Sequence, residues 1–116
     1  MSKKVALVAF NGEPMCFVHV LLNALDMNKR GYDVKVIIEG SATRLIGVLA
    51  DMNEPFSNQY REVREKALID CVCRACAAKM GALEAAEEQK LPLCGEMTGH
   101  PSLAKYLEQD FEVITF

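Results

Sequence analysis

Apolar residues concentrate in five short runs along the chain, each bounded by glycine, proline or polar residues. They occupy residues 5–10, 33–39, 68–73, 91–94 and 111–116. The first of them, VALVAF, is a continuous apolar run, which is typical of a strand whose two faces are both covered. The pattern therefore predicts five short strands.

Helical patterns separate these runs. Between the first two runs, Met15, Val18, Leu22 and Leu25 recur at helical spacing, after a proline suited to a first turn. Further helices are predicted at 41–49, 60–67, 75–80, 83–89 and 101–107. Strands that alternate with helices indicate parallel βαβ units. We therefore predict one α/β domain over residues 1–116: a three-layer, flavodoxin-like fold of about five mostly parallel strands with helices on both faces.

Composition and charge limit the binding partners and the cellular location that we expect. The net charge is −3, with acidic and basic residues interspersed, so no basic face is predicted for nucleic acid or for an anionic membrane. The first apolar run is too short for a signal peptide, and no later run approaches a membrane span. A cytoplasmic location is therefore expected, where thiols stay reduced and clustered cysteines are more often catalytic or metal-binding than structural.

Three of the five cysteines fall within the six residues CVCRAC, from Cys71 to Cys76. Binding sites of open parallel sheets lie beyond the carboxyl ends of the strands. On that rule, four thiols project onto one edge of the sheet: those of Cys16, Cys73, Cys76 and Cys94. Cys71, two residues inside the third strand, is expected to be buried between sheet and helices.

Cys73 is the candidate nucleophile. It stands where a strand passes into a helix, and Arg74 follows it directly. A helix N-terminus and a neighbouring cation both favour thiolate over thiol, so a lowered pKa is expected at Cys73. Cys76 completes a C-x-x-C spacing, which permits a disulfide across one helical turn. The alternative is that Cys73 is only a small buried apolar residue.

A metal site is the second sharp hypothesis for these thiols. Cys73, Cys76, Cys94 and His100 can supply ligands for zinc or iron. Cys71 is a poor addition, because residues two apart on a strand are separated by about 6.6 Å, whereas two sulfurs on one zinc are about 3.8 Å apart. His100 can also serve as a proton donor or binding residue, or belong only to a helix-entry turn. His19 is expected to flank the first helix without binding a ligand.

The segment Cys-Arg-Ala-Cys-Ala-Ala-Lys-Met-Gly, from Cys73 to Gly81, together with the order of elements around it, resembles the DsrE/DsrF-like family of small sulfur-relay proteins. An acidic helix, a strand and a terminal Glu-Val-Ile-Thr-Phe follow this segment, so the resemblance in layout covers nearly the whole chain. It implies that Cys73 carries sulfane sulfur as a persulfide. It also implies donor and acceptor proteins as partners, and a homo-oligomer, either a trimer or a hexamer.

Three functions therefore remain open from the sequence. The first is a sulfur carrier or sulfurtransferase that requires no cofactor, in which Cys76 discharges the Cys73 persulfide as a disulfide. The second is a metal-binding or dithiol redox module built on Cys73, Cys76 and Cys94. In the third, the cysteines serve mainly in packing and the domain works through its subunit interfaces.

Overall fold

A computed structural model describes residues 3–116, so residues 1 and 2 of the predicted 1–116 domain lie outside it. Its five strands form one sheet in the order β4-β3-β2-β1-β5, and every pairing is parallel. The strands are β1 (Lys4–Ala9), β2 (Asp33–Ile38), β3 (Ile69–Cys73), β4 (Leu93–Cys94) and β5 (Glu112–Thr115). The predicted α/β fold with five strands and helices on both faces is thus confirmed.

Six α-helices connect the strands, each close to its predicted place. They are α1 (Pro14–Lys29), α2 (Leu45–Val48), α3 (Ser57–Glu65), α4 (Arg74–Lys79), α5 (Leu83–Glu88) and α6 (Leu103–Glu108). A short 3-10 helix, Gly40–Arg44, precedes α2. Gly81 ends the α4 turn with a φ of 73°, the left-handed conformation that glycine adopts without a steric penalty.

The buried face of α1 differs from the predicted stripe. Phe17, Val20 and Leu21 are buried, whereas Met15 is 60% exposed and Leu22 is 45% exposed. The error has a simple physical source. Apolar residues occupy eleven of the sixteen positions of this helix and are spread over most of its circumference, so helical spacing alone does not decide which side faces the sheet.

The two faces of the sheet are covered unequally. Residues from α1 to α5 pack on one face, against alternate strand residues such as Leu7, Val36 and Val72. The opposite face carries a smaller core, in which Tyr106 of α6 and Phe111 pack against Ala6, Val8, Ile37 and Cys71. Cys71 is completely buried in that smaller core, as predicted.

The strand order determines the path of the segment between β4 and β5. Successive strands β1 to β4 step across the sheet in one direction, and β5 then pairs with the free side of β1. The segment between β4 and β5 therefore crosses beneath the sheet from one edge to the other, and α6 lies within it. Within residues 3–116, no helix is long and apolar enough to cross a bilayer.

Candidate functional site

Cys73 occupies the junction between β3 and α4. It is the N-cap residue of α4, and its Sγ accepts a hydrogen bond from the backbone N–H of Cys76 at 3.4 Å. The C-x-x-C spacing thus places Cys76 in the first turn of α4, above Cys73. Cys73 is completely buried and Cys76 is half-buried.

A tight turn after β4 brings His100 over the two thiols. Met97 and His100 exchange both backbone hydrogen bonds, at 2.8 and 3.0 Å. Gly99, with a φ of 93°, accepts a hydrogen bond from the Ala75 N–H at 2.9 Å, which fixes the turn to α4. His100 Nδ1 consequently lies 3.0 Å from Cys73 Sγ and 3.7 Å from Cys76 Sγ.

These three side chains form a group that can hold a metal ion. The Sγ atoms of Cys73 and Cys76 and a ring nitrogen of His100 all lie within 4.8 Å of one another. On a tetrahedral zinc, a sulfur and a nitrogen ligand are about 3.6 Å apart, given bond lengths of about 2.3 and 2.05 Å. The observed sulfur–nitrogen distances lie within about half an ångström of that value.

The expected lowering of the Cys73 pKa is wrong. Burial is the largest effect, and with the nearby Cys76 thiol and Glu39 carboxyl it raises the pKa of Cys73 to about 12, against the lowering effect of the Cys76 N–H. Arg74 is exposed and offers no buried positive charge beside the sulfur. Without a nearby cation, Cys73 is therefore a protonated thiol at neutral pH.

Cys94 does not join the metal-binding group, so the predicted four-residue set is corrected to three. Cys94 pairs with Cys73 across β3 and β4, but it packs against the smaller core beside Cys71. Burial raises the pKa of both thiols. Tyr106 completes this second network: its hydroxyl donates to Asp70 at 2.5 Å and lies 3.7 Å from the Cys71 sulfur.

The remaining predicted residues lie outside the group. Cys16 is half-buried in the first turn of α1 and is not among the clustered ligands. His19 is exposed on the flank of α1, as predicted. Among the described residues, the structure thus brings together Cys73, Cys76 and His100 and leaves Cys16, Arg74 and Cys94 apart.

Glu39 is a buried residue beside the site that the sequence analysis did not single out. It follows the last residue of β2 and is only 6% exposed. Because Ile38 pairs with Val72, Glu39 lies beside Cys73 at the carboxyl edge of the sheet. Burial raises the pKa of the Glu39 carboxyl. An acidic residue directly after the apolar run Val36, Ile37 and Ile38 was the available signal.

No protein-family model matches the chain. An uncharacterized protein of Methanocaldococcus jannaschii, MJ0733, is 33% identical over 97 residues, which make up 84% of this chain and 77% of the relative. The chain belongs to the MJ0733 family. An uncharacterized protein of Archaeoglobus fulgidus is 49% identical over 43 residues, 37% of this chain and 70% of that relative.

A solved structure agrees with the fold of this MJ0733-family chain. BT1422, a conserved protein of unknown function from Bacteroides thetaiotaomicron, superposes with a TM-score of 0.70 over 98% of this chain and 95% of its own. The two sequences are 17% identical. The likeness establishes a shared architecture.

Proposed function

We propose that the protein binds a transition metal ion, zinc or iron(II), through Cys73, Cys76 and His100. The observation that carries this proposal is the 4.8 Å cluster of two sulfurs and one imidazole nitrogen. Thiolate and imidazole are the ligands that both metals prefer in proteins.

The electrostatics of the cluster favour a cation. The buried Cys73 thiol resists ionisation, because its thiolate would lie in a place of low polarity, close to the Cys76 thiol and the Glu39 carboxyl. A divalent ion reverses both effects, since a coordinated thiol loses its proton outright. The raised pKa of Cys73 therefore describes the metal-free protein and is consistent with metal binding.

Metal analysis of protein purified without chelator tests the proposal. We expect up to one zinc or iron per chain, and stoichiometric uptake when the metal-free protein is titrated with zinc against a chromogenic chelator. Cys73→Ser, Cys76→Ser and His100→Ala should each lose this uptake. Cys16→Ser is the matched control, because it removes a half-buried thiol outside the cluster. Absence of stoichiometric binding, or unchanged binding in Cys76→Ser, would contradict the proposal.

Sulfur handling is the second candidate, favoured by two contacts of the Cys73 sulfur. The Cys76 N–H at 3.4 Å and His100 Nδ1 at 3.0 Å can both stabilise an anionic sulfur at this position. The resemblance to the DsrE/DsrF-like family points the same way, and with it we propose donor and acceptor proteins and a trimer or hexamer.

Each sulfur-transfer step is an exchange between a thiolate and a persulfide, which needs no oxidant or reductant. Cys73 gives its proton to His100 and attacks the terminal sulfur of a donor persulfide, which releases the donor thiolate and leaves a persulfide on Cys73. An acceptor thiolate can then take that sulfur in the same way. Alternatively, the Cys76 thiolate attacks Cys73 Sγ, forms a Cys73–Cys76 disulfide and releases sulfide.

Mass spectrometry after incubation with a persulfide donor tests this second candidate. We expect the gain of one sulfur atom on the peptide that contains Cys73, and its loss in Cys73→Ser but not in Cys16→Ser. Normal loading of Cys73→Ser would refute the carrier role. Both candidate functions use the same thiols, so sulfur loading is measured with and without bound zinc. Bound zinc should block the loading of sulfur on Cys73.

A further inference from the structure

The carboxyl group of Glu39 has a buried oxygen without a hydrogen-bond partner among the described residues. Its Oε2 is inaccessible to solvent and makes no hydrogen bond within residues 3–116. The two other buried polar residues are both satisfied: Thr43 donates to the Gly40 carbonyl at 2.8 Å, and Ser57 donates to the Met52 carbonyl at 3.2 Å. Glu39 is thus the exception among the buried polar side chains described.

Such a group opposes folding. A buried carboxyl without a compensating hydrogen bond loses its hydration and gains nothing in exchange. Since no hydrogen bond within residues 3–116 compensates the burial of this oxygen, the place of Glu39 at the carboxyl end of β2 suggests that a bound ligand does so. That place is next to Cys73, where its charge acts on the thiol.

We propose that Glu39 supplies the fourth ligand of the metal ion held by Cys73, Cys76 and His100. This inference rests on the proposed metal-binding function. Three protein ligands leave one position of a tetrahedral ion open, and carboxylate oxygens are regular zinc ligands. Glu39 lies outside the 4.8 Å cluster, so its side chain turns toward the three ligands when the ion binds.

Two measurements on Glu39→Gln test the inference. The first is metal binding: zinc affinity by chelator competition, and the visible spectrum of the cobalt(II) form, which reports the ligand set. We expect zinc affinity to fall by at least about tenfold, and the cobalt bands to shift. The matched control is Glu88→Gln, which removes an exposed acid of α5.

The second measurement is thermal unfolding of the metal-free protein. Glu39→Gln should melt at the same temperature as the wild type or higher, because the substitution removes the ionisable buried group. With zinc, the same variant should gain less in melting temperature than the wild type does.

The outcomes separate the two proposals. A wild type that takes up no metal refutes the metal-binding function itself. A wild type that binds zinc, with a Glu39→Gln variant of equal affinity and unchanged cobalt spectrum, overturns only the role of Glu39. A metal-free Glu39→Gln that melts lower than the wild type, or does not fold, also overturns it, because the carboxyl would then stabilise the fold.

Discussion

Replacement of Gly99 by alanine should loosen His100 from the two thiols. Gly99 has a φ of 93°, and an added Cβ would lie 3.0 Å from the Cβ of Ala75. Ordinary carbon–carbon contacts are about 3.5–4.0 Å, so one partner must move by about 0.5–1 Å. Ala75 belongs to α4, which is packed on the sheet, and the turn that carries His100 is therefore the part that yields.

The free-energy change follows from two contributions. A left-handed φ at a residue with a Cβ costs about 1–2 kcal/mol, and the crowding against Ala75 adds about 1 kcal/mol. A total of about 2–3 kcal/mol lowers the melting temperature of a domain of this size by about 8–12 °C. Displacement of His100 by this amount should weaken zinc binding by about ten- to a hundredfold.

Thermal unfolding of the metal-free protein and zinc competition measure the two effects separately. Gly31→Ala is the matched control: Gly31 has a φ of 87°, but an added Cβ there meets no atom within 4 Å. It should lower the melting temperature by about 4–8 °C and leave zinc affinity unchanged. If Gly99→Ala binds zinc as tightly as Gly31→Ala does, the reasoning about how His100 is held is refuted.

Three further predictions follow from the contacts described. Zinc affinity should rise with pH by about tenfold per unit for each proton displaced, because the raised pKa keeps Cys73 protonated without metal; a pH-independent affinity would contradict this. Tyr106→Phe should lower the free energy of unfolding in urea by about 1–2 kcal/mol, since Asp70 then loses its hydroxyl donor. Hydrogen bonds from backbone N–H groups and from Lys105 lower the pKa of Glu96 to about 2. The stability that the Glu96 carboxylate provides should therefore be complete above its ordinary pKa of 4.5 and decrease as the pH falls toward 2. The variant Glu96→Gln should not show this decrease.

The pattern of the sequence located most of the fold and the centre of the site. Every predicted strand and helix was found, because apolar runs and turn residues agree along the whole chain. Cys73, Cys76 and His100 come together for the reason the sequence suggested: each lies at or beyond the carboxyl end of a parallel strand.

The wrong predictions concern residues whose role depends on side-chain direction and burial. Cys94 stands beside Cys73 in the sheet, yet it packs toward Cys71, which no spacing rule specifies. The pKa of Cys73 was predicted with the wrong sign, because the turn at Gly99 and His100 closes over the sulfur and excludes solvent. Glu39 was overlooked because a single acid at a strand end resembles an ordinary boundary residue.

The segment between β4 and β5, which crosses beneath the sheet, is held in place at both ends. One end is tied to α4 by the hydrogen bond between Gly99 and Ala75, and the other is held where β5 pairs with β1, as in Val5 with Glu112. An ion bound through His100 would restrict the motion of this segment. Exchange of the β5 amide hydrogens, at the far edge of the sheet from the thiols, should then slow when the metal is loaded.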